Sequence, residues 1–286
     1  MNIVFTHQND NPILHGLAAA ITVVEPNTLT WAMEQKPAFD MFDEVKPDVL
    51  FCTTQDVVFN PSIIEALKEF QNTKLVLYGV GATNIIPDLI CLPPDIPKTI
   101  VENIKAKSLQ TRFSANHAQF CRGKYDERHK SDILYVSNED LTNQIDRLNI
   151  LDKISSLGHS FKIVGQYSID LPNYLGSITI SEATSFIASS KIVLDFNEQI
   201  MWDCAINKVF CMSNIDNPIY HKYTDETIIE DITHFLGEEK LRKSVSKRAY
   251  KIGLGNTYYE QAKNIFNIIN FSSLSSKLET KLNECE

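Results

Sequence analysis

The stretch Ser189–Asn214, SSKIVLDFNEQIMWDCAINKVFCMSN, decides how this chain is read. Two apolar runs, Lys191–Phe196 and Lys208–Met212, have the length and β-branched content of buried strands. Between them there is room only for a short helix, Glu198–Ile206. Strand, helix and strand in such a compass make a βαβ unit with its two strands parallel. The helix carries an acid, Asp203, beside Trp202. A carboxylate in the one piece of helix that joins two core strands needs a reason.

The same alternation runs outward in both directions. Towards the N-terminus, strands Ile133–Val136 and Ser160–Val164 alternate with helices Leu141–Leu157 and Ser181–Ser189. Gly158 follows the long helix, where a left-handed closing residue belongs. An earlier series has strands Asn2–Thr6, Asp48–Thr53, Lys74–Tyr78 and Leu89–Leu92, with helices Leu14–Ile21, Pro37–Val45 and Pro61–Phe70. After the quoted stretch come helices Asp225–Leu236, Glu239–Ile252 and Tyr258–Ile269, then a polar tail that reads as a short helix or a frayed end. Two such series predict an α/β protein of two doubly wound, Rossmann-like domains facing a cleft. The boundaries expected are 1–125, 126–270 and a tail 271–286.

Composition narrows the class. The chain has 286 residues, 43% hydrophobic and 22% charged, as a soluble globular protein has. No run approaches the roughly 18 apolar residues of a membrane span. The opening MNIVFTHQND reads as a first buried strand and not as a signal peptide. The six cysteines show no C-x-x-C spacing and several lie in strand-like runs, which fits reduced core thiols in the cytoplasm. The seven histidines include no H-x-x-x-H pair, so no structural metal is expected.

A net charge of −9 argues against indiscriminate nucleic-acid binding, yet the charge is uneven. From Lys105 to Lys130, seven cations (Lys105, Lys107, Arg112, Arg122, Lys124, Arg128, Lys130) face two acids (Asp126, Glu127), a local balance of +5. Phe113, Phe120 and Tyr125 are interleaved, as in surfaces that take phosphates on cations and bases on rings. The plain alternative is a solvated linker between domains.

Ligands of open parallel sheets bind at the carboxyl ends of the strands. No loop there carries a P-loop, and no G-x-G-x-x-G follows the first strand. The glycines of YGVGAT (Tyr78–Thr83) read as well as a tight turn.

Four pieces in order carry a resemblance: SDILYVSNED from Ser131, GHSFKIVGQY from Gly158, NYLGSITISEATSFIASSKIVLDFN from Asn173 and MWDCAINKVFCMSN from Met201. Together with the closing helices to Phe266, they resemble the nucleotide-sugar domain of GT-B glycosyltransferases. The nearest likeness is to the spore-maturation-protein B type and to the DNA glucosyltransferases of T-even phages. The resemblance implies a nucleotide-sugar-dependent transferase with donor UDP-sugar, the acceptor on the N-terminal domain and no required cofactor; a divalent metal is compatible but not required. It implies that Asp203 accepts from the ribose hydroxyls and that the main chain of Gly176, Ser177 and Ile178 reads the base. Ser137, Asn138, Gly165, Gln166 and Gln199 would line the same donor site.

Two departures stand out. Ile200 occupies the place of an arginine that often precedes the acid, and Asn207 and Lys208 replace a small residue and a glycine. The diphosphate charge would then fall to Arg147, Lys208 or the N–H groups of Ser137 and Asn138. For the general base the candidates are His7, Asp10 and Asp56, with His7 and Asp56 favoured; inverting and retaining chemistry both stay open. Lys105, Lys107, Arg112 and Arg122 would hold a DNA acceptor, hydroxymethylated cytosine in double-stranded phage DNA, in the host cytoplasm. The alternatives are a cell-surface glycan as acceptor, or a non-catalytic binding protein on a GT-B frame.

Overall fold

A computed structural model describes residues 1–6, 11–31, 37–79, 86–93, 96–97, 100, 104, 106–112, 114, 123–137, 141, 144–165, 170–178, 180–196, 199–217 and 219–285. At residues 12, 180, 181, 199 and 285 it describes the backbone alone. The chain divides into two compact units, residues 1–113 with 258–286, and residues 114–257.

The first unit is built on a six-stranded parallel sheet of order β2-β1-β3-β4-β5-β6. Its strands are β1 (Ile3–Thr6), β2 (Thr28–Trp31), β3 (Val49–Thr53), β4 (Lys74–Tyr78), β5 (Leu89–Leu92) and β6 (Ser108–Gln110). Helices α1 (Pro12–Val24), α2 (Ala38–Val45), α3 (Thr54–Phe59) and α4 (Ser62–Glu69) connect the first four strands. The central strands are continuous apolar runs because helices cover both faces of the sheet. Asn11 starts α1: its Oδ1 accepts from the N–H groups of Ile13 (3.0 Å) and Leu14 (3.1 Å), with Pro12 as the first helical residue.

The second unit has a five-stranded parallel sheet, β11-β10-β9-β7-β8. The strands are β7 (Ser131–Ser137), β8 (Phe161–Gly165), β9 (Ser190–Asp195), β10 (Phe210–Ser213) and β11 (His221–Lys222). Between and after them run α5 (Ile145–Ser155), α6 (Ile180–Ala188), α7 (Gln199–Asn207), α8 (Ile228–Gly237) and α9 (Glu239–Leu254). One core of side chains from these strands and helices fills the unit.

The chain then returns to the first unit through α10 (Tyr258–Ile268) and α11 (Ser272–Cys285), both packed on α1. The reason is local fit. Gly16 on α1 leaves space for the Tyr258 ring, which a side chain there would overlap. Gln261 brackets Arg112, accepting from its N–H at 3.3 Å and donating to its carbonyl at 2.7 Å. The segment expected to close the second domain therefore belongs with residues 1–113, and the expected tail is a helix.

Two doubly wound, Rossmann-like units match the expected fold class. The sequence reading missed β2, β6 and β11. All three are sheet edges. It also assigned no helix between Thr53 and Pro61, where α3 forms.

Candidate functional site

In the second sheet the first strand in the chain, β7, lies between β8 and β9. The chain leaves β7 for β8 on one side and comes back to β9 on the other. A crevice opens at such a reversal, at the carboxyl ends of the two strands. Here those ends are Ser137 and Asp195, both buried, with Ser213 of β10 beyond. Asp195 was not singled out from sequence; the signal available was a carboxylate as the last residue of an otherwise apolar strand.

Gly165 ends β8 beside Ser137, its partner in register. Its φ is +141°, and a Cβ there would overlap the Ser137 carbonyl, so only glycine fits. Residues 173–176 run along the outer edge of β8: the Ile163 N–H donates to the Asn173 carbonyl and the Leu175 N–H to that of Ile163, both at 2.9 Å. The Gly165 N–H donates to the Gly176 carbonyl at 3.4 Å, and the Tyr174 hydroxyl to the Gly165 carbonyl at 3.2 Å. The fold thus brings together Ser137, Gly165 and Gly176, far apart in sequence. Gly176 also has a positive φ, +113°, but open space around it. Ser177 is exposed and Ile178 half-buried against the core.

Helix α7 starts at the same edge with Gln199 and leads away from it. Asp203 is four residues on, about 6 Å along the axis. It is half-buried, and Trp202 packs on the core. At the far end the Lys208 N–H donates to the Ala205 carbonyl (3.1 Å) and the Val209 N–H to that of Cys204 (3.0 Å). This is the Schellman closure, and Lys208 holds its left-handed position with φ +57°. The departure from glycine leaves the turn intact, and the Lys208 ammonium lies 4.2 Å from the centre of the Tyr250 ring.

Arg147, in the first turn of α5, reaches the reversal point. Its guanidinium is 5.2 Å from the centre of the Phe196 ring, and Nη2 donates to the Phe196 carbonyl at 3.4 Å, one residue past β9. Phe196 packs against Tyr135 (5.0 Å between ring centres) and Tyr223 (6.4 Å). The Tyr223 hydroxyl is buried and has no hydrogen-bond partner among the described residues. Burial, chiefly, and the nearby Asp195 push its pKa well up, against a smaller downward pull from Arg147.

The first unit has its own reversal, between β1 and β3. Their carboxyl ends are Thr6 and Thr53, joined by the fully buried Asp56. Asp56 Oδ2 accepts from the Thr6 hydroxyl at 2.5 Å and from the Thr53 N–H at 2.7 Å, while the Asp56 N–H donates to Thr53 Oγ1 at 3.0 Å. The arrangement is a capping box on α3. The spacing Thr53-x-x-Asp56 was the signal for it. Asp56 Oδ1 has no partner among the described residues. His7, Asp10, Asn138 and Gln166 lie outside the described residues, as does the side chain of Gln199.

The basic run is divided between the units. Lys107 Nζ donates to the Ile268 carbonyl at 3.2 Å. Residues 123–130 are strapped to the second unit. The Gly123 N–H donates to Asn207 Oδ1 (2.7 Å), the Asp126 N–H to the Ser189 hydroxyl (2.8 Å), and His129 stacks on Phe186 at 4.0 Å. Arg128 pairs with Asp126 at 2.6 Å and Lys130 with Glu127 at 2.7 Å. Lys105 and Arg122 lie outside the described residues.

Among the described residues no group of three His, Cys, Asp or Glu could hold a metal ion, and no helix is long and apolar enough to cross a membrane.

No protein-family model matches the sequence, and no curated protein matches it. Among solved structures, the chain is similar to a glycosyltransferase from Rickettsia africae ESF-5, with 11% identity, 95% of this chain and 98% of that one covered, and a TM-score of 0.67. It is similar to S. aureus MnaA, solved with UDP, at 9% identity, 96% and 98% coverage and a TM-score of 0.58. It is similar to a UDP-N-acetylglucosamine 2-epimerase at 12% identity, 95% and 96% coverage and a TM-score of 0.56. At these identities the likeness is one of fold, the pair of Rossmann-like domains called GT-B.

Proposed function

We propose that the chain is a glycosyltransferase that moves a sugar from a nucleoside diphosphate sugar, UDP-sugar by preference, to a hydroxyl acceptor. The observation that carries the reading is the carboxyl edge of the second sheet, where Ser137, Gly165 and Gly176 meet beside the start of the helix bearing Asp203. Asp203 takes the ribose hydroxyls, since a carboxylate accepts from two vicinal donors in charge-assisted bonds. The N–H groups of Ser177 and Ile178 serve the base. In the transfer, the bond from the sugar C1 to the diphosphate oxygen breaks and its electron pair leaves with UDP. The acceptor oxygen bonds to C1, and its proton passes to a general base, for which His7 is the first candidate. Fully buried in the cap of α3, Asp56 is the weaker one.

The test is calorimetry with UDP. Asp203→Ala should weaken binding by roughly 1.5–3 kcal/mol with the fold unchanged. Equal dissociation constants in variant and parent would remove the assignment.

A hydroxymethylcytosine acceptor in DNA, and with it a phage setting, rests on the basic run alone. Lys107, Arg128 and Lys130 have partners within the chain, which favours a glycan or small-molecule hydroxyl instead. A second reading, epimerisation of the UDP-sugar itself, draws on the likeness to the 2-epimerase. An epimerase changes UDP-N-acetylglucosamine with no acceptor present; a transferase needs the acceptor to give transfer product.

A further inference from the structure

A nucleoside diphosphate brings two phosphates to this edge, and the arginine that resembling enzymes often carry before the acid is Ile200 here. The sequence left Arg147, Lys208 and loop N–H groups as substitutes. Geometry separates the two cations. Lys208 closes α7, nine residues or about 13 Å along the helix from the carboxyl edge, and precedes the amino end of β10. Arg147 lies in the first turn of α5, which points its N–H groups at the carboxyl edge, and its guanidinium touches Phe196 just past β9.

We infer that Arg147 is the cation that meets the diphosphate of the donor nucleotide, in place of the missing arginine. The inference rests on the donor reading above and deepens it. Three features converge on the spot. The strand order reverses between β7 and β9, so a crevice must open there. The Phe196 ring and carbonyl hold the guanidinium at that crevice, so little side-chain freedom is left to lose on binding. The third is the buried Tyr223 hydroxyl, which has no hydrogen-bond partner among the described residues, packs against the same Phe196 and feels the charge of Arg147. A planar guanidinium can give two parallel N–H bonds to one phosphate. As the C1–O bond breaks, negative charge grows on the diphosphate oxygen, and a fixed cation there favours the transition state over the bound substrate.

The experiment compares UDP, UMP and uridine by calorimetry on the full chain and on Arg147→Met, Arg147→Lys and Lys208→Met. Methionine keeps the packed stem on Phe196 and removes the charge. Arg147→Met should weaken UDP roughly 10- to 100-fold, UMP less, and uridine by under twofold. Arg147→Lys should fall between Met and parent, and Lys208→Met should match the parent. Should Arg147→Met fail to fold, the UDP-to-uridine ratio of Arg147→Lys carries the test. UDP binding within twofold of the parent in Arg147→Met would overturn the assignment. So would equal weakening of UDP and uridine, because Arg147 would then act through the fold. A parent chain that binds no UDP at all would instead bring down the donor reading, and this inference with it.

Discussion

The two sheets reverse strand order at the same place, between their first and third strands, and use the reversal in opposite ways. In the first unit Asp56 fills it: one carboxylate oxygen takes the Thr6 hydroxyl and the Thr53 N–H, and a six-residue helix starts on top. In the second unit the strand ends Ser137 and Asp195 are followed by longer connections, and the acid read as functional, Asp203, lies a turn deeper on a nine-residue helix. A cation and a hydroxyl without a partner among the described residues stand at that edge, Arg147 and Tyr223. Topology supplies the crevice twice. The few residues after each strand decide whether it is closed by the protein, as Asp56 closes the first, or left for the donor nucleotide, as we propose for the second.

The largest effect should come from Asp56. Asp56→Ala removes the acceptor for two groups and one half of a capping box. The expected loss is about 3 kcal/mol in chemical denaturation of the full chain, while Asp203→Ala should cost under about 0.5 kcal/mol. Equal losses would erase the contrast between a closing carboxylate and a binding one.

The glycines sharpen the same contrast inside the second unit. Gly165→Ala meets both a positive φ and the Ser137 carbonyl, so it should cost about 2–3 kcal/mol. Gly176→Ala meets the positive φ alone, in open space, and should cost about 1 kcal/mol. Thermal melts of the two variants read the difference. If the costs are equal, the close approach of β8 to Ser137 is not what fixes this edge.

How legible was this in the sequence? The central strands were, because burial on both faces turns them into unbroken apolar runs such as Val49–Cys52 and Ile192–Leu194. The missed strands were edges: Thr28–Trp31 has no buried residue, and β11 is two residues long. Edge β8 was found because residues 173–176 cover its open side, which keeps it apolar. The return of Tyr258–Glu286 to the first unit could not be read, since it depends on one ring fitting over Gly16, a contact with no local pattern. Asp56 drew attention as an acid after a strand, although its spacing from Thr53 already spelled a cap. Arg147 was one of several candidate cations; the folded positions of the strand reversal and of Phe196 single it out.

The smallest effect expected is a gain. The buried Tyr223 hydroxyl has no partner among the described residues, and such a group lowers stability, so Tyr223→Phe should stabilise the chain by about 1 kcal/mol at neutral pH. The pH profile checks the cause. Burial raises the Tyr223 pKa in the folded state, whereas the unfolded phenol ionises near its ordinary value of about 10. Below that value both states hold the proton and the profile is flat. Above it the unfolded state binds fewer protons, so the parent loses stability as pH rises. Buried thiols act in the same direction, with burial pushing Cys91 up to about 12 and also raising Cys52 and Cys211 well above the ordinary thiol value, and they persist in the variant. The quantity to measure is therefore the variant's advantage over the parent, which should widen as pH climbs past 10. A constant advantage would mean that the phenol is already solvated. The unfilled hydrogen bond at Tyr223 would then not be a property of the second reversal.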